Sequence, residues 1–268
     1  MKNMRISLIG SGRVATHLGK ALSKQHQIVQ VLSRDLAHAE TLAVLVNAQA
    51  IDQAEQLNAT IDLLIIAVSD QAISQVIQSV HDYLPNVLIV HTSGSTHLNV
   101  LTAHHAKSGV FYPLQTFSLE REIDWENTPL FIETAIENDL TISNDESILE
   151  DLANSLSNRV YQYTSEQRLC LHLSAVFACN FTNYCYDMAK QVVDAQQVDF
   201  SLLYPLILET ANKATQNDPQ KMQTGPAMRG DQNILTMHEN MLHVQGREDL
   251  EKVYALLSEM IHARHVGS

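Results

Sequence analysis

Cysteine is scarce and odd in number, with three residues, Cys170, Cys179 and Cys185, in a chain of 268. An odd count gathered in one helical-looking stretch does not build a disulfide framework, so reduced core thiols are expected. Positive charge is also sparse. With 17 Lys and Arg against 30 Asp and Glu, a formal net charge of -13, the chain lacks the clustered cations that nucleic acid or an anionic membrane requires. Long apolar runs are missing too. The longest, residues 63–68, falls far short of the roughly 20 residues that cross a bilayer. Residues 1–11 lack the apolar core and cleavage site of a signal peptide, so a cytoplasmic location is expected. Histidine is abundant, at 13, but scattered, with His104 and His105 read as loop or helix-surface residues. The nearest approach to a zinc motif, His238-Glu239…His243, is spaced by five. That turns the second imidazole about 140° from the first instead of one turn above it, so no metal site is expected.

What is present is an alternation. Residues 5–9 form a short apolar segment, followed by Val14, Leu18 and Leu22 at helical spacing. A β-branched segment at 28–32 precedes helical character at 37–46. The run 63–68 has buried-strand length, and Asp70 can cap a helix carrying Ile73, Val76, Ile77 and Val80. Another strand, 87–90, leads into His91-Thr92-Ser93-Gly94. Uninterrupted apolar strands alternating with amphipathic helices indicate a parallel sheet covered on both faces. Candidate strands at 109–112, 130–133 and 160–163, with a helix near 147–156, extend the same sheet. Beyond Thr164 the pattern becomes helical, at 166–193, 202–216 and 249–263. The expected architecture is α/β, a doubly wound domain with a mostly parallel sheet over residues 1–164, followed by an all-helical C-terminal domain over 165–268. No Pro/Gly-rich linker separates them, so tight packing of the two is expected.

Gly10-Ser11-Gly12-Arg13-Val14-Ala15 matches the G-x-G-x-x-G/A fingerprint of a Rossmann dinucleotide site, between the first strand and the first helix where its mechanism requires it. Gly10 makes the tight turn, Gly12 admits the pyrophosphate, Ala15 allows close helix packing, and the helix N-terminus offers unpaired amides to the phosphates. Ser11, Arg13 and Val14 complete the loop. At the end of the second strand, where NAD-binding proteins carry an acidic residue, the chain reads Ser33-Arg34. A hydroxyl and a guanidinium suit a 2′-phosphate and favour NADP, although Asp35, next in line, leaves NAD open. Ala67, Val68 and Ser69 end the next long strand, where small residues permit close approach of the nicotinamide ribose; a plain strand end with a helix cap would read the same way.

Chemistry is expected at the C-terminal edge of the sheet. Ser93, with Thr92 and Gly94, offers hydroxyls and amides to a substrate, whereas His91 reads more readily as a satisfied strand-end histidine. Residues 109–118 combine Tyr112 and Gln115 with other aromatics and hydroxyls, suiting either a nicotinamide wall or a packed loop. On the helix at 166–193, apolar around much of its circumference, His172, Asn183 and Asp187 project within about 60° of one another, with Asn180 about 80° from His172. This polar stripe faces a ligand or satisfies itself internally. If a carbonyl is reduced, His172 can supply the proton while Asn180 and Asn183 position the oxygen. Thr224-Gly225-Pro226-Ala227-Met228-Arg229-Gly230-Asp231 is a turn in which Arg229 pairs with Asp231 or binds an anionic substrate.

These segments carry a resemblance. The runs G-S-G-R-V-A-T-H-L, H-T-S-G-S, G-V-F-Y-P-L-Q-T-F-S, A-V-F-A-C-N-F-T-N and T-G-P-A-M-R-G-D together resemble the Rossmann-like proteins with a C-terminal DUF2520 helical domain, a family of NADP oxidoreductases. The resemblance implies a helical domain similar to those of β-hydroxyacid dehydrogenases, prephenate dehydrogenases and pyrroline-5-carboxylate reductases, and a homodimer formed through it. It supplies no substrate. The lysine that β-hydroxyacid dehydrogenases carry one turn before their catalytic asparagine is replaced by Val176 if Asn180 is that asparagine. The expected activity is NADP(H)-dependent hydride transfer to or from a small polar carbonyl, alcohol or imine, at a site between the two domains, or to a flavin or deazaflavin. The alternative is a non-catalytic NADP(H)-binding sensor.

Overall fold

The structure, a computed structural model, describes residues 3–135 and 144–265. Its first half runs β1 (Arg5–Ile9), α1 (Arg13–Leu22), β2 (Gln27–Leu32), α2 (Leu36–Val46), β3 (Gln49–Ile51), β4 (Leu63–Ile66), α3 (Asp70–Val80), β5 (Leu88–His91), α4 (Asn99–Thr102) and β6 (Ser108–Pro113). Then follow β7 (Leu130–Thr134), α5 (Asn144–Leu156), β8 (Val160–Gln162) and α6 (Ser165–Ala175). A π-helical turn, Val176–Phe181, leads into α7 (Thr182–Asp194), α8 (Tyr204–Gln216), α9 (Pro226–Arg229), α10 (Gln232–Val244) and α11 (Glu248–His265).

The eight strands form one sheet in the order β3-β2-β1-β4-β5-β6-β7-β8. All neighbours are parallel except β6 and β7. Strand order runs one way from β1 to β3 and the other way from β4 onward, so the chain reverses its winding between β1 and β4. In an open α/β sheet a ligand crevice lies outside the carboxyl ends of the strands at that switch point.

Both faces are buried because alternate side chains on uninterrupted apolar strands enter opposite cores. Ile6, Leu8, Leu63, Ile65, Leu88 and Val90 pack with Leu18, Leu22 and Leu42 of α1 and α2 and with Leu149 and Leu152 of α5. Ile9, Leu64, Ile66 and Ile89 pack on the other face with Ile73, Ile77 and Val80 of α3. The strand β3, unforeseen from its short polar sequence, pairs with the edge of β2.

The described chain divides into two compact units, Met1–Phe177 and Ala178–Ser268. Residues 165–177, grouped by sequence with the second domain, belong with the sheet, because Ser165 and Arg168 bond Glu133 at the end of β7. In the second unit α9, α10 and α11 pack on one another. No described helix is long and apolar enough to cross a membrane.

Three expectations need correction. The cysteines are free but exposed rather than core residues, with Cys170 on α6, Cys179 in the π turn and Cys185 on α7. His105 is buried, with its Nε2 at 2.7 Å from the Val87 carbonyl oxygen. The helix read as continuous from 166 to 193 contains the π turn, so a projection at 100° per residue does not carry from His172 to Asn180, Asn183 and Asp187.

Candidate active site

The register places Ile9, Ile66, His91 and Val110 side by side across β1, β4, β5 and β6. The next residues of each strand therefore emerge along one edge: Gly10 and Ser11, Ala67 and Val68, Thr92 and Ser93, Phe111 and Tyr112. Most of the residues singled out in the first unit lie on this edge.

Gly10 has φ +107°, a region L side chains rarely adopt, and a Cβ there would fall 2.2 Å from the Ala67 carbonyl oxygen. The glycine loop thus sits against the end of β4, in the switch-point crevice. Gly12 caps α1 without a side-chain bond, and a Cβ on it would meet nothing within 4 Å, leaving its outer face open to a ligand. The first intrahelical bond runs from the Thr16 N–H to the Gly12 carbonyl at 2.9 Å. The amides of Arg13, Val14 and Ala15 precede it, and the first turn carries no acidic side chain. Unpaired amides at a helix start with no competing carboxylate fit a pyrophosphate.

At the end of β2 the Ser11 hydroxyl donates to the Ser33 hydroxyl at 3.2 Å, tying the glycine loop to the exit of that strand. Arg34 is exposed. Asp35 is committed elsewhere, as the N-cap of α2, where one carboxylate oxygen accepts the Ala37 N–H at 3.0 Å and the His38 N–H at 3.4 Å. The Asp35 carboxylate is thus engaged in holding a helix start, while the Ser33 hydroxyl and the Arg34 guanidinium stand beside it at the end of β2.

After β4, Ser69 rather than Asp70 is the N-cap of α3, without a side-chain bond. Asp70 accepts a hydrogen bond from the Ser95 hydroxyl. Ser93 shapes its own loop, because its buried hydroxyl oxygen accepts the Ser95 N–H at 3.1 Å and the Thr96 N–H at 2.9 Å, and its hydroxyl meets the Ser95 hydroxyl at 3.5 Å. Thr92 continues the ladder through its N–H to the Ile66 carbonyl at 3.1 Å. His91 is fully buried and accepts the Ser93 N–H on Nδ1 at 3.1 Å. Burial, then the Arg168 charge, drives its pKa down to about 3 against a smaller opposing pull from Asp70. His91 is therefore a neutral loop anchor through Nδ1, but among the described residues its buried Nε2 meets no hydrogen-bond partner, so the expectation of a satisfied histidine holds for one ring nitrogen only.

Tyr112 and His172 meet over Gly94. The Tyr112 hydroxyl lies 3.3 Å from His172 Nδ1. A Cβ on Gly94 would fall 2.6 Å from Tyr112 Cζ and 2.7 Å from His172 Nδ1, so only glycine lets the loop approach the pair. Burial pushes the Tyr112 phenol up to about 12, with Arg168 lowering it and Asp70 raising it. The other residues of that strand's exit separate from the pair: Gln115 is exposed and accepts the Thr116 N–H, while Phe117 packs beside His17 and Trp125.

Sequence reasoning missed the centre of this corner. The Arg168 side chain is 1% exposed and pairs with Glu133. It also donates to the Thr96 carbonyl at 2.6 Å and to Ser165 Oγ at 3.2 Å, while the Ser165 hydroxyl donates to Glu133 and accepts the Leu98 N–H at 3.0 Å. This cluster clamps the 93–98 loop and the end of β7 to the start of α6, one turn before His172. A lone arginine in a helix with exposed neighbours gives no signal; the acidic partner 35 residues earlier is the element only the fold supplies.

Asn180, Asn183, Asp187 and Arg229 lie in the second unit, all exposed. Asp187 accepts from Gln191 at 2.7 Å. Asp231 caps α10 by accepting the Ile234 N–H at 3.4 Å, and among the described residues no ion pair joins it to Arg229.

Residues 5–94 match the family described as NADP oxidoreductase, coenzyme F420-dependent, and residues 134–261 match a domain of unknown function, DUF2520. A solved structure from Bacteroides fragilis, described as a candidate NADP oxidoreductase, is 40% identical, covers 97% of this chain and 98% of its own, and superposes with a TM-score of 0.89. The chain belongs to the DUF2520 family of Rossmann-like NADP oxidoreductases. No curated protein matches it. The family's fold extends to an imine reductase from Myxococcus stipitatus in complex with NADP+, at 16% identity over 97% of this chain and 95% of that one, with a TM-score of 0.68. It extends also to a pyrroline carboxylate reductase from Plasmodium falciparum with NADP bound, at 13% identity over 98% and 99% of the two chains, with a TM-score of 0.55. At such identities the likeness is one of fold.

Proposed function

We propose that the protein binds NADP(H) along the β1–β4 crevice and reduces, or forms by oxidation, a small substrate bearing a polar C=O or C=N group. The observation that carries this is the glycine loop seated at the switch point, with uncapped helix amides beside Ser33 and Arg34 and with Asp35 turned into a helix cap. Gly10, Ser11, Gly12, Arg13 and Val14 hold the pyrophosphate, Ser33 and Arg34 the 2′-phosphate, and Ala67, Val68 and Ser69 the nicotinamide ribose. When bound, the dinucleotide supplies or accepts the hydride. His172 is the proton source, and Ser93 and Thr92 present their hydroxyls and Gly94 its amide to the substrate. Asn180, Asn183 and Arg229 are assigned to substrate contacts, to be tested by alanine at each. The imine reductase and pyrroline carboxylate reductase folds favour a C=N group among the choices.

The test is calorimetry with NADPH and NADH, then NADPH oxidation with a panel of cyclic imines, keto acids and a deazaflavin. Micromolar or tighter NADPH binding with turnover of a panel member is expected; no association of either nicotinamide dinucleotide would remove the assignment. We also infer a homodimer formed through the helical region, supported by the exposed Phe181, Tyr184, Leu206, Leu208 and Met260. Sedimentation should give twice the chain mass.

A further inference from the structure

We propose that Tyr112 is the residue that hands the proton to the substrate, with His172 as its supply, the two forming a relay from solvent to the sheet edge. This rests on the reductase reading above and specifies how its proton arrives. Tyr112 stands on the sheet, two residues past the Val110 that pairs with His91, so its place along the edge is that of Ser93 and Thr92. It belongs to the buried cluster of Leu98, Val110 and Phe131, against which Leu171 of α6 packs. His172, the next residue on α6, is only half-buried. The order from the dry side outward is therefore Tyr112, then His172, then water.

The contact between them leaves one arrangement that serves transfer. When the imidazolium donates Nδ1–H to the phenol oxygen, the phenolic proton is free to point at a substrate. As the substrate carbon accepts hydride from NADPH, the π electron pair moves to its oxygen or nitrogen, which forms a bond to the phenolic proton while the Tyr112 O–H bond breaks. The phenolate oxygen takes the Nδ1 proton of His172, leaving a neutral imidazole, and solvent restores one proton to it before the next turnover. Held near pKa 12 by burial, the phenol keeps its proton at neutral pH, so it is always loaded. The charged groups that act on Tyr112 are Arg168 on α6 and Asp70 at the start of α3, and the titratable Tyr163 packs against the same cluster. Gly94 is what permits the contact. Its Cβ would stand between the ring of Tyr112 and His172 Nδ1.

The experiment is stopped-flow NADPH oxidation with 1-pyrroline and with ethyl levulinate, in water and in deuterium oxide, on wild type, Tyr112→Phe, His172→Gln and Gly94→Ala. Tyr112→Phe should lose turnover by about 100-fold or more with NADPH affinity unchanged. His172→Gln should lose less and recover part of its rate on addition of imidazole, and Gly94→Ala should behave like Tyr112→Phe. Proton-detected ¹⁵N spectra of histidine-labelled protein should show the His172 Nδ1 signal move in Tyr112→Phe without any ligand. Wild-type turnover in Tyr112→Phe, or an unmoved Nδ1 signal, overturns the relay alone. No NADPH binding, or no turnover of either probe by wild type, overturns the reductase reading and the relay with it.

Discussion

The two compact units bury their apolar side chains to very different degrees. Met1–Phe177 closes three cores around its sheet, whereas among the described residues of Ala178–Ser268 only Ala227, Leu235, Leu242 and Leu250 are buried hydrophobics. The exposed Tyr184, Leu202, Leu206, Leu208 and Met260 form an apolar surface of the kind that marks association sites. The contrast teaches that the first unit carries its own stability and holds its site residues on fixed elements. We infer that the second draws part of its order from association, as the homodimer proposed above would supply.

The sharpest break of that contrast is at the cofactor loop. Gly10→Val puts a branched Cβ into a φ +107° position 2.2 Å from the Ala67 carbonyl oxygen, so the loop must move or the sheet must open. Loss of measurable NADPH binding is expected by calorimetry, with loss of the folded state as the extreme; retained affinity would mean that the loop does not hold the dinucleotide. Next is Arg168→Met. Removing one partner of a buried ion pair costs about 3 kcal/mol, and here Thr96 and Ser165 also lose their donor. Thermal unfolding of the sheet unit should show it, with a larger loss than any single substitution in α8.

Acid should act on the same corner. His91 is neutral when folded, with a pKa near 3, and ionises near its ordinary value once unfolded. Above that ordinary value of about 6.5 both states are neutral and the residue contributes no pH dependence. Between there and pH 3 the unfolded state binds the extra proton, so stability falls as pH falls. At pH 5 the loss is about 2 kcal/mol. His91→Asn keeps an acceptor for the Ser93 N–H and should flatten the stability profile over pH 7 to 5 in urea titrations; an unchanged slope would locate the acid sensitivity elsewhere. The buried His26, whose pKa is also lowered by burial, adds in the same direction.

Cofactor choice is a smaller effect. Arg34→Glu replaces the cation proposed to meet the 2′-phosphate by an anion, while the Asp35 cap of α2 stays intact. A weakening of about tenfold or more for NADPH, about 1.4 kcal/mol, is expected, with NADH binding little altered. Equal weakening of both dinucleotides would place the guanidinium outside the 2′ site.

The sheet was readable because its strands are unbroken apolar runs between helices with clear three-to-four spacing, and the glycine loop because a tight turn and a close approach leave few choices of residue. His172 and Tyr112 were each visible as candidates, but not as a pair. Nothing in their 60-residue separation says that an imidazole and a phenol meet over Gly94. Arg168 and Glu133 were invisible for the same reason, since a buried ion pair is a property of two distant segments brought together. The π turn escaped because it leaves no mark in apolar periodicity, and it limits any face drawn through it. The cysteines misled because their apolar surroundings in sequence imply burial only when something covers the helix.

The smallest expected effect separates two kinds of exposed apolar residue. Val44 on α2 is 82% exposed on a helix whose inner face, Leu42 and Val46, is already packed against the sheet. An isolated exposed apolar side chain of this kind needs no partner. Val44→Ser should change stability by no more than about 0.5 kcal/mol and leave the sedimenting mass unchanged. Leu206→Ser on α8, where Leu206 is 62% exposed, should instead shift the mass toward the single chain on dilution, because an apolar side chain at an association surface contributes where a solvated valine does not. If both variants sediment as wild type does, the apolar surface around Leu206 is solvated like that of Val44, and the second unit stands on its four buried side chains alone.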